Sequence, residues 1–312
     1  MDFTIFSGCY NSAPTIERLF LSIKTQTFKE FEWIVFDDFS QDNTVELIEN
    51  FIRQNHNIKV LFIKNKHNCG IKYCFLEALR IANGKYLVQW DHDDDNKPNQ
   101  LEVFNKIISE YDDGYLAGVW ALCEDQQGNL LGNKYSTYIT VGNYFTHYRK
   151  YITRYGKSTE QNERMPCINI SKLRKLEKYV QENFPEDFRS LYPNFRWAFL
   201  SMLGNKIIFI NEVVRVYYIN QNLVTLSNIR GPVESENIML SCKHWINLFF
   251  KYLNYKHIYF KFKIYLSYIN HGINADKKLN FLVNNVTGSI SKLIISILYF
   301  PIMIFKRLYS GT

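Results

Sequence analysis

Four aspartates, Asp91, Asp93, Asp94 and Asp95, stand within the stretch KYLVQWDHDDDNKP, residues 85–98. Carboxylates this close raise one another's pKa unless a positive charge sits among them. Three of them at one place make a hard oxygen site for Mg²⁺ or Mn²⁺, ions that keep several waters and complete their shell with substrate phosphates. The plainer reading is a solvated turn that caps the helix begun near Pro98. Two further polar groups also close apolar runs: Ser7-Gly8-Cys9-Tyr10-Asn11 follows FTIF, and Asp37-Asp38 follows EWIVF. No GxxxxGK[ST] loop occurs and no GxGxxG follows the first run, which argues against Walker-type ATP hydrolysis and Rossmann-type NAD binding. A DxDx[TV] phosphatase needs its acids after the first strand, not the fourth.

The elements that must hold these groups alternate. Residues 3–7 read as a buried strand, and Ile16, Leu19, Phe20 and Ile23 recur at helical spacing behind Asn11 or Ser12 as cap and Pro14 in the first turn. Residues 32–38 form a second strand without alternation, as when both faces are covered. A helix over 44–54, a strand over 59–65, a helix over 70–82 stopped by Asn83-Gly84 and a strand over 85–91 complete the series. The pattern predicts an α/β fold, an open and mostly parallel sheet with helices on both faces. Ligands of such sheets bind beyond the carboxyl ends of the strands, where all three polar groups fall. Further on, 171–183 and 195–203 read as helices and 206–219 as a strand. Residues 133–165 show weak periodicity.

The chain has 312 residues, 46% of them hydrophobic, with a net charge of +7. From Ile238 onward there are ten Lys or Arg and one acid, Asp276, so this tail carries +9 and the rest −2. A basic tail on an acidic body argues against nucleic acid as partner and for an anionic surface. The six cysteines form no CxxC pair, and Met1-Asp2 leads straight into a strand without a signal peptide. Both features predict a cytoplasmic protein with reduced thiols.

The stretch TIFSGCYNSAPTIERLFLSIKTQTFKEFEWIVFDDFSQDNT resembles the opening of the family-2 glycosyltransferases, including "Q-T-[FY]-x-x-[FY]-E" and "D-D-x-S-x-D-x-T". NCGIKYCFLEALRIANGKYLVQWDHDD is similar to that family's next block, which ends in "D-x-D-D". The resemblance implies the GT-A fold and a nucleotide-diphospho-sugar donor, UDP-linked in this family's manner. It also implies sugar transfer with inversion to a glycan or lipid-linked acceptor, with Mn²⁺ or Mg²⁺. It places Cys9, Tyr10 and Asn11 beside the nucleotide base and Asp38 on a base nitrogen. Lys72 and Glu17 fall near the nucleotide. Asp93 faces the metal, with Asp94 adjoining, and Asp91 faces the ribose or a metal-bound water. Two positions depart from the pattern: Gly8-Cys9 stands for Pro-Thr, and Phe39 for the glycine of "D-D-G-S".

The family also implies a base in a late "E-D" ahead of a helix. Here Glu186-Asp187 stands several residues earlier than usual, and Asp187 is the favoured base with Glu186 next. The expected division is a catalytic domain over 1–237, with a nucleotide-sugar half 1–125 and an acceptor half 126–237, and aromatic, basic helices over 238–312. The apolar run 293–305 is too short to span a bilayer. It predicts a helix lying in the interface, with Lys306 and Arg307 on headgroups. A peripheral place on the inner face of the cell membrane follows, by analogy with relatives that build bacterial surface polysaccharides. A non-catalytic nucleotide- or glycan-binding partner and a nucleotidyltransferase are the alternatives.

Overall fold

In the computed structural model, residues 1–145, 163–183, 195–219, 232–253 and 258–309 are described. They fall into two compact units. The first comprises the described residues within Met1–Asn143, Lys157–Lys178 and Leu203–Asn220, and the second the remainder.

The first unit is built on one sheet. Strands β1 (Phe3–Cys9), β2 (Phe31–Asp37), β3 (Lys59–Lys64) and β4 (Tyr86–Gln89) are parallel, in the order β3-β2-β1-β4. Helices α1 (Ile16–Thr25), α2 (Thr44–Gln54) and α3 (Ile71–Ile81) make the crossovers. Every residue of β2 is buried, which is why its sequence shows no alternation. Helices cover both faces. On one, Trp33 meets Phe20 of α1 and Phe51 of α2 edge-on, at 6.2 and 5.7 Å. On the other, Phe6 meets Phe75 of α3 at 5.6 Å.

Beyond β4 the sheet continues through β8 (Arg164–Asn169), β6 (Leu116–Asp125), β9 (Lys206–Tyr217) and β5 (Asp95–Asn96), with β7 (Ile139–Gly142) also on β9. The β6–β9 pair is parallel, and β8 lies antiparallel between β4 and β6. Helix α4 (Gln100–Tyr111) sends Leu101, Phe104 and Ile107 into the same core as α1. This is the α/β architecture the sequence predicts, with helices α2 and α3 within one residue of their expected bounds.

Helix α1 differs in its start. It begins at Ile16 because Asn11 and Ser12 are engaged elsewhere. Asn11 Oδ1 accepts the Gln41 N–H at 2.8 Å, and the Ser12 hydroxyl accepts the Tyr10 N–H at 3.0 Å. Much of the family-like signature serves this scaffolding. Buried Glu32 accepts from Thr4 Oγ1 at 2.8 Å and from the Asn83 side chain at 3.1 Å. Gln26 donates to the Lys97 carbonyl and accepts the Leu101 N–H, tying α1 to α4. Asp42 accepts from Ala13 N–H and Thr44 N–H, tying the β1 and β2 loops together.

Gly84 is required by close approach. A Cβ there lies 2.5 Å from the Thr4 backbone nitrogen and 2.6 Å from the Phe3 carbonyl carbon. Neither atom can swing aside as a side chain can. Gly84→Ala is expected to cost about 2–3 kcal/mol, read as a lowered denaturation midpoint; an unchanged midpoint contradicts the contact.

The second unit owes its core to aromatic rings. Phe195 stacks on Phe249 at 5.4 Å, Phe199 meets Phe249 edge-on at 5.2 Å, and Trp245 lies 4.9 Å from Phe249. Helix α5 (Ile170–Asn183) leads from the first unit, and α6 (Arg196–Met202), α7 (Pro232–His244), α8 (Ile258–Asn274), α9 (Leu279–Asn284) and α10 (Ser289–Tyr309) follow. Tyr268 of α8 donates to the Leu282 carbonyl of α9 at 3.0 Å, and the Tyr265 and Ser291 hydroxyls pair at 2.8 Å. On α10 the residues Ile290, Leu293, Ile297, Phe300 and Ile304 are each more than half exposed. Their spacing puts them on one face.

Candidate active site

The site is built at the carboxyl ends of β1, β2 and β4. The ladder pairs Cys9 with Asp37, and the next residue, Asp38, donates its N–H to the Cys9 carbonyl at 2.8 Å. Asp38 is the hub of the loops that follow β2 and β3. Its Oδ1 accepts from Asn65 Nδ2 at 2.7 Å and Cys69 N–H at 2.8 Å, and its Oδ2 from Gly70 N–H at 2.7 Å. Burial alone pushes this carboxyl up. The hydrogen bonds outweigh burial and hold it below the usual carboxylate range. Asp38 therefore stays ionised and pins the turn that starts α3.

Tyr10 and Asn11 sit on the loop beside it. Tyr10 is half exposed, and Asn11 N–H donates to Ser40 Oγ at 2.9 Å. Lys72 lies exposed in the first turn of α3, two residues past Gly70. Cys9 sits in the hydrophobic core, its thiol pushed up by burial and by nearby Asp37 and Asp91. Glu17 lines a groove of about 420 Å³ between α1 and α2, with Lys24, Asn50 and Gln54.

Phe39 takes the glycine position of the signature and keeps the glycine conformation, at φ +71°. A left-handed backbone costs a bulky residue about 1–2 kcal/mol, partly offset by the extra freedom glycine has when unfolded. Phe39→Gly is expected to stabilise the protein by about 1 kcal/mol. Phe39→Ala, which keeps the Cβ, is expected to give no gain. Equal midpoints for the two variants in urea argue against the strain.

The positive charge among the aspartates is a side chain the sequence reading did not single out. Arg215 of β9 is buried and donates from Nε to Asp94 Oδ2 at 2.8 Å. Its Nη2 donates to Asp91 Oδ2 at 2.8 Å and to Asp94 Oδ2. Burial works against the guanidinium charge, and the two carboxylates overcome it, so Arg215 remains charged. Burial lifts the Asp94 carboxyl to about 6 against the opposing pull of Arg215. Asp94 Oδ1 accepts the Tyr218 N–H at 2.9 Å, and the Tyr218 hydroxyl donates to Asp95 Oδ2 at 2.8 Å. The Arg18 guanidinium lies 3.7 Å from the Tyr218 ring centroid and donates to the Asp93 carbonyl at 2.7 Å. The one signal for Arg215 is a cation inside the otherwise apolar run VVRVYYI.

Among the described residues, no three His, Cys, Asp or Glu side chains gather into a metal-binding group. Asp94 is committed to Arg215 and Tyr218. The Asp93 carboxylate makes no hydrogen bond or ion pair among the described residues. Asp91 shares one oxygen with Arg215 and the other with Gln89 Nε2, at 3.1 Å. Asp93 and Asp91, the latter 40% exposed against 2% for Asp94, are the carboxylates of the cluster that a solvent-borne ion could reach. Such a pair suits a dication bound through one or two carboxylates and substrate phosphates. Glu186 and Asp187 lie outside the described residues.

A mostly parallel sheet with Asp38, a tyrosine-asparagine turn and an aspartate pair on one edge is the architecture of the GT-A fold. The sequence model of glycosyl transferase family 2 matches residues 4–176, and the chain belongs to that family. The chain is 25% identical over 255 residues to a processive diacylglycerol beta-glycosyltransferase of Mycoplasma genitalium, covering 78% of this chain and 71% of that one. Among solved structures it resembles residues 1–349 of S. aureus TarS in complex with UDP-GlcNAc, with TM-score 0.58 and 17% identity over 92% of this chain and 82% of that one. It also resembles the mannosyltransferase PcManGT from Pyrobaculum calidifontis in complex with GDP-Man and Mn²⁺, with TM-score 0.52 and 15% identity over 99% and 88%. At these identities the structural likeness establishes the fold.

Proposed function

We propose that this glycosyltransferase moves a sugar from a UDP-linked donor to a glycan or lipid-linked acceptor, with inversion, in cell-surface polysaccharide synthesis. The observation that carries the reading is the edge itself. Ionised Asp38, at the end of β2, lies beside the Tyr10 loop, and the Asp93 carboxylate, without a partner among the described residues, follows β4. Tyr10 lies against the base, and Asp38 accepts from a ring N–H while its other lone pairs hold the α3 turn. Asn11 and Lys72 face the nucleotide, and Asp91 and Asp93 hold Mn²⁺ or Mg²⁺. The ion's chemistry is to offset charge that develops on the departing diphosphate. Asp187, with Glu186 next, takes the proton of the attacking acceptor hydroxyl. The structures of TarS with UDP-GlcNAc and of PcManGT with GDP-Man and Mn²⁺ support a donor of this class and its metal.

The test is a panel of nucleotide-sugars assayed for Mn²⁺-dependent release of nucleoside diphosphate. Release from a UDP-sugar supports the reading. Release of pyrophosphate instead indicates nucleotidyl transfer and overturns it.

The same proposal seats the protein on the inner face of the membrane through α10. The exposed apolar face and the +9 tail favour an anionic bilayer surface. Among the described residues no helix is long and apolar enough to cross a membrane. Deleting residues 289–312 is expected to shift most of the protein from the membrane to the soluble fraction. An unchanged distribution counts against the interfacial helix.

A further inference from the structure

Strand β9 clamps the acid loop at several points. Asp95 and Asn96 pair with Val216 and Arg215 in an antiparallel ladder. Arg215 grips Asp94 and Asp91, Tyr218 grips Asp94 and Asp95, and Arg18 clasps Tyr218 and the Asp93 carbonyl. A buried ion pair contributes little net stability, because desolvation offsets its attraction. What a guanidinium supplies beyond charge is direction: its planar fork holds carboxylates at set angles, as an ammonium cannot. The fork takes one oxygen of each carboxylate, and Tyr218 N–H takes the other oxygen of Asp94, whose side chain is 2% exposed against 40% for Asp91.

We infer that Arg215 is a positioning residue for the donor-phosphate site, one that withdraws Asp94 from cation binding and sets the orientation of Asp91. The site is then a two-carboxylate one, Asp91 and Asp93, whose shell the donor phosphates must complete. This rests on the cation reading above and deepens it. It also assigns Asp94, which the aspartate spacing places among the metal ligands, to the clamp.

The experiment measures Mn²⁺ affinity of the full chain in the presence of UDP, by calorimetry and by the electron paramagnetic signal of free Mn²⁺. Asp93→Asn is expected to weaken binding about tenfold or more. Asp94→Asn, which keeps an acceptor for the Tyr218 N–H, is expected to weaken binding clearly less than Asp93→Asn does. The double variant Arg215→Met/Asp94→Asn removes both members of the buried Arg215–Asp94 pair, so its thermal midpoint is expected at or above that of Asp94→Asn, which leaves the guanidinium short of a partner. Its Mn²⁺ affinity is nevertheless expected to fall about tenfold, because Asp91 is no longer held. Arg215→Lys/Asp94→Asn, with the charge but not the fork, is expected to fall between the two.

An affinity loss in Asp94→Asn equal to that in Asp93→Asn makes Asp94 a ligand and overturns the inference. Equal affinity in the double variant and in Asp94→Asn reduces Arg215 to charge balance and also overturns it. Full affinity in Asp93→Asn overturns the cation reading itself. Should the double variant not fold, Asp94→Asn and Asp93→Asn still decide whether Asp94 is a ligand.

Discussion

Asp93→Ala is expected to lower metal-dependent release of nucleoside diphosphate by about 10²-fold or more, with the thermal midpoint unchanged. The size follows from the step. In sugar transfer the developing charge lies on the departing diphosphate, and a positive group placed there acts on the transition state more than on the bound donor. The unchanged stability follows from the structure. The Asp93 carboxylate is only partly buried and has no partner among the described residues, so its loss leaves no buried charge behind. Only its main-chain carbonyl is engaged, by Arg18, and alanine keeps that. Persistent release in a folded Asp93→Ala protein removes the metal assignment. Loss of release together with a large fall in stability shows instead that the loop collapsed, and the clamp geometry around Asp94 is then the error.

Asp187→Asn is expected to lower the turnover number by about 10²–10⁴-fold, the range for loss of a positioned general base. UDP affinity is expected to stay within about twofold, because the base serves the acceptor hydroxyl and not the nucleotide. Glu186→Gln is expected to have the smaller effect. A reversed ranking moves the base to Glu186. Parental turnover in both variants takes the base away from residues 186 and 187 altogether. Donor binding without any transfer, in the parent as in the variants, indicates a nucleotide-binding partner in place of an enzyme. These outcomes separate the readings because they divide binding from chemistry.

The buried strands and their crossovers were legible along the chain. Local hydrophobic runs of β1, β2 and β4 and the helical spacing of Ile16, Leu19, Phe20 and Ile23 each act over a few residues, so sequence displays them directly. The polar ends were legible too, since a parallel sheet puts the ends of consecutive crossover strands on one edge. Family-like motifs located Tyr10, Asp38, Asp91 and Asp93 for the same reason: each is tied to a strand end.

Other features depend on residues far apart in the chain. Strand β8 enters antiparallel between β4 and β6, pairing Val88 with Cys167, and nothing in RMPCIN by itself announces a central strand. The two-residue β5 exists only because β9 lies alongside it. The charge within the aspartate cluster arrives from Arg215, 121 residues beyond Asp94. Sequence by itself determined where carboxylates crowd and which edge they occupy, because burial and strand direction are local properties. Only the tertiary structure decided which carboxylates remain available, because desolvating Asp94 demands a partner that long-range strand pairing alone can deliver.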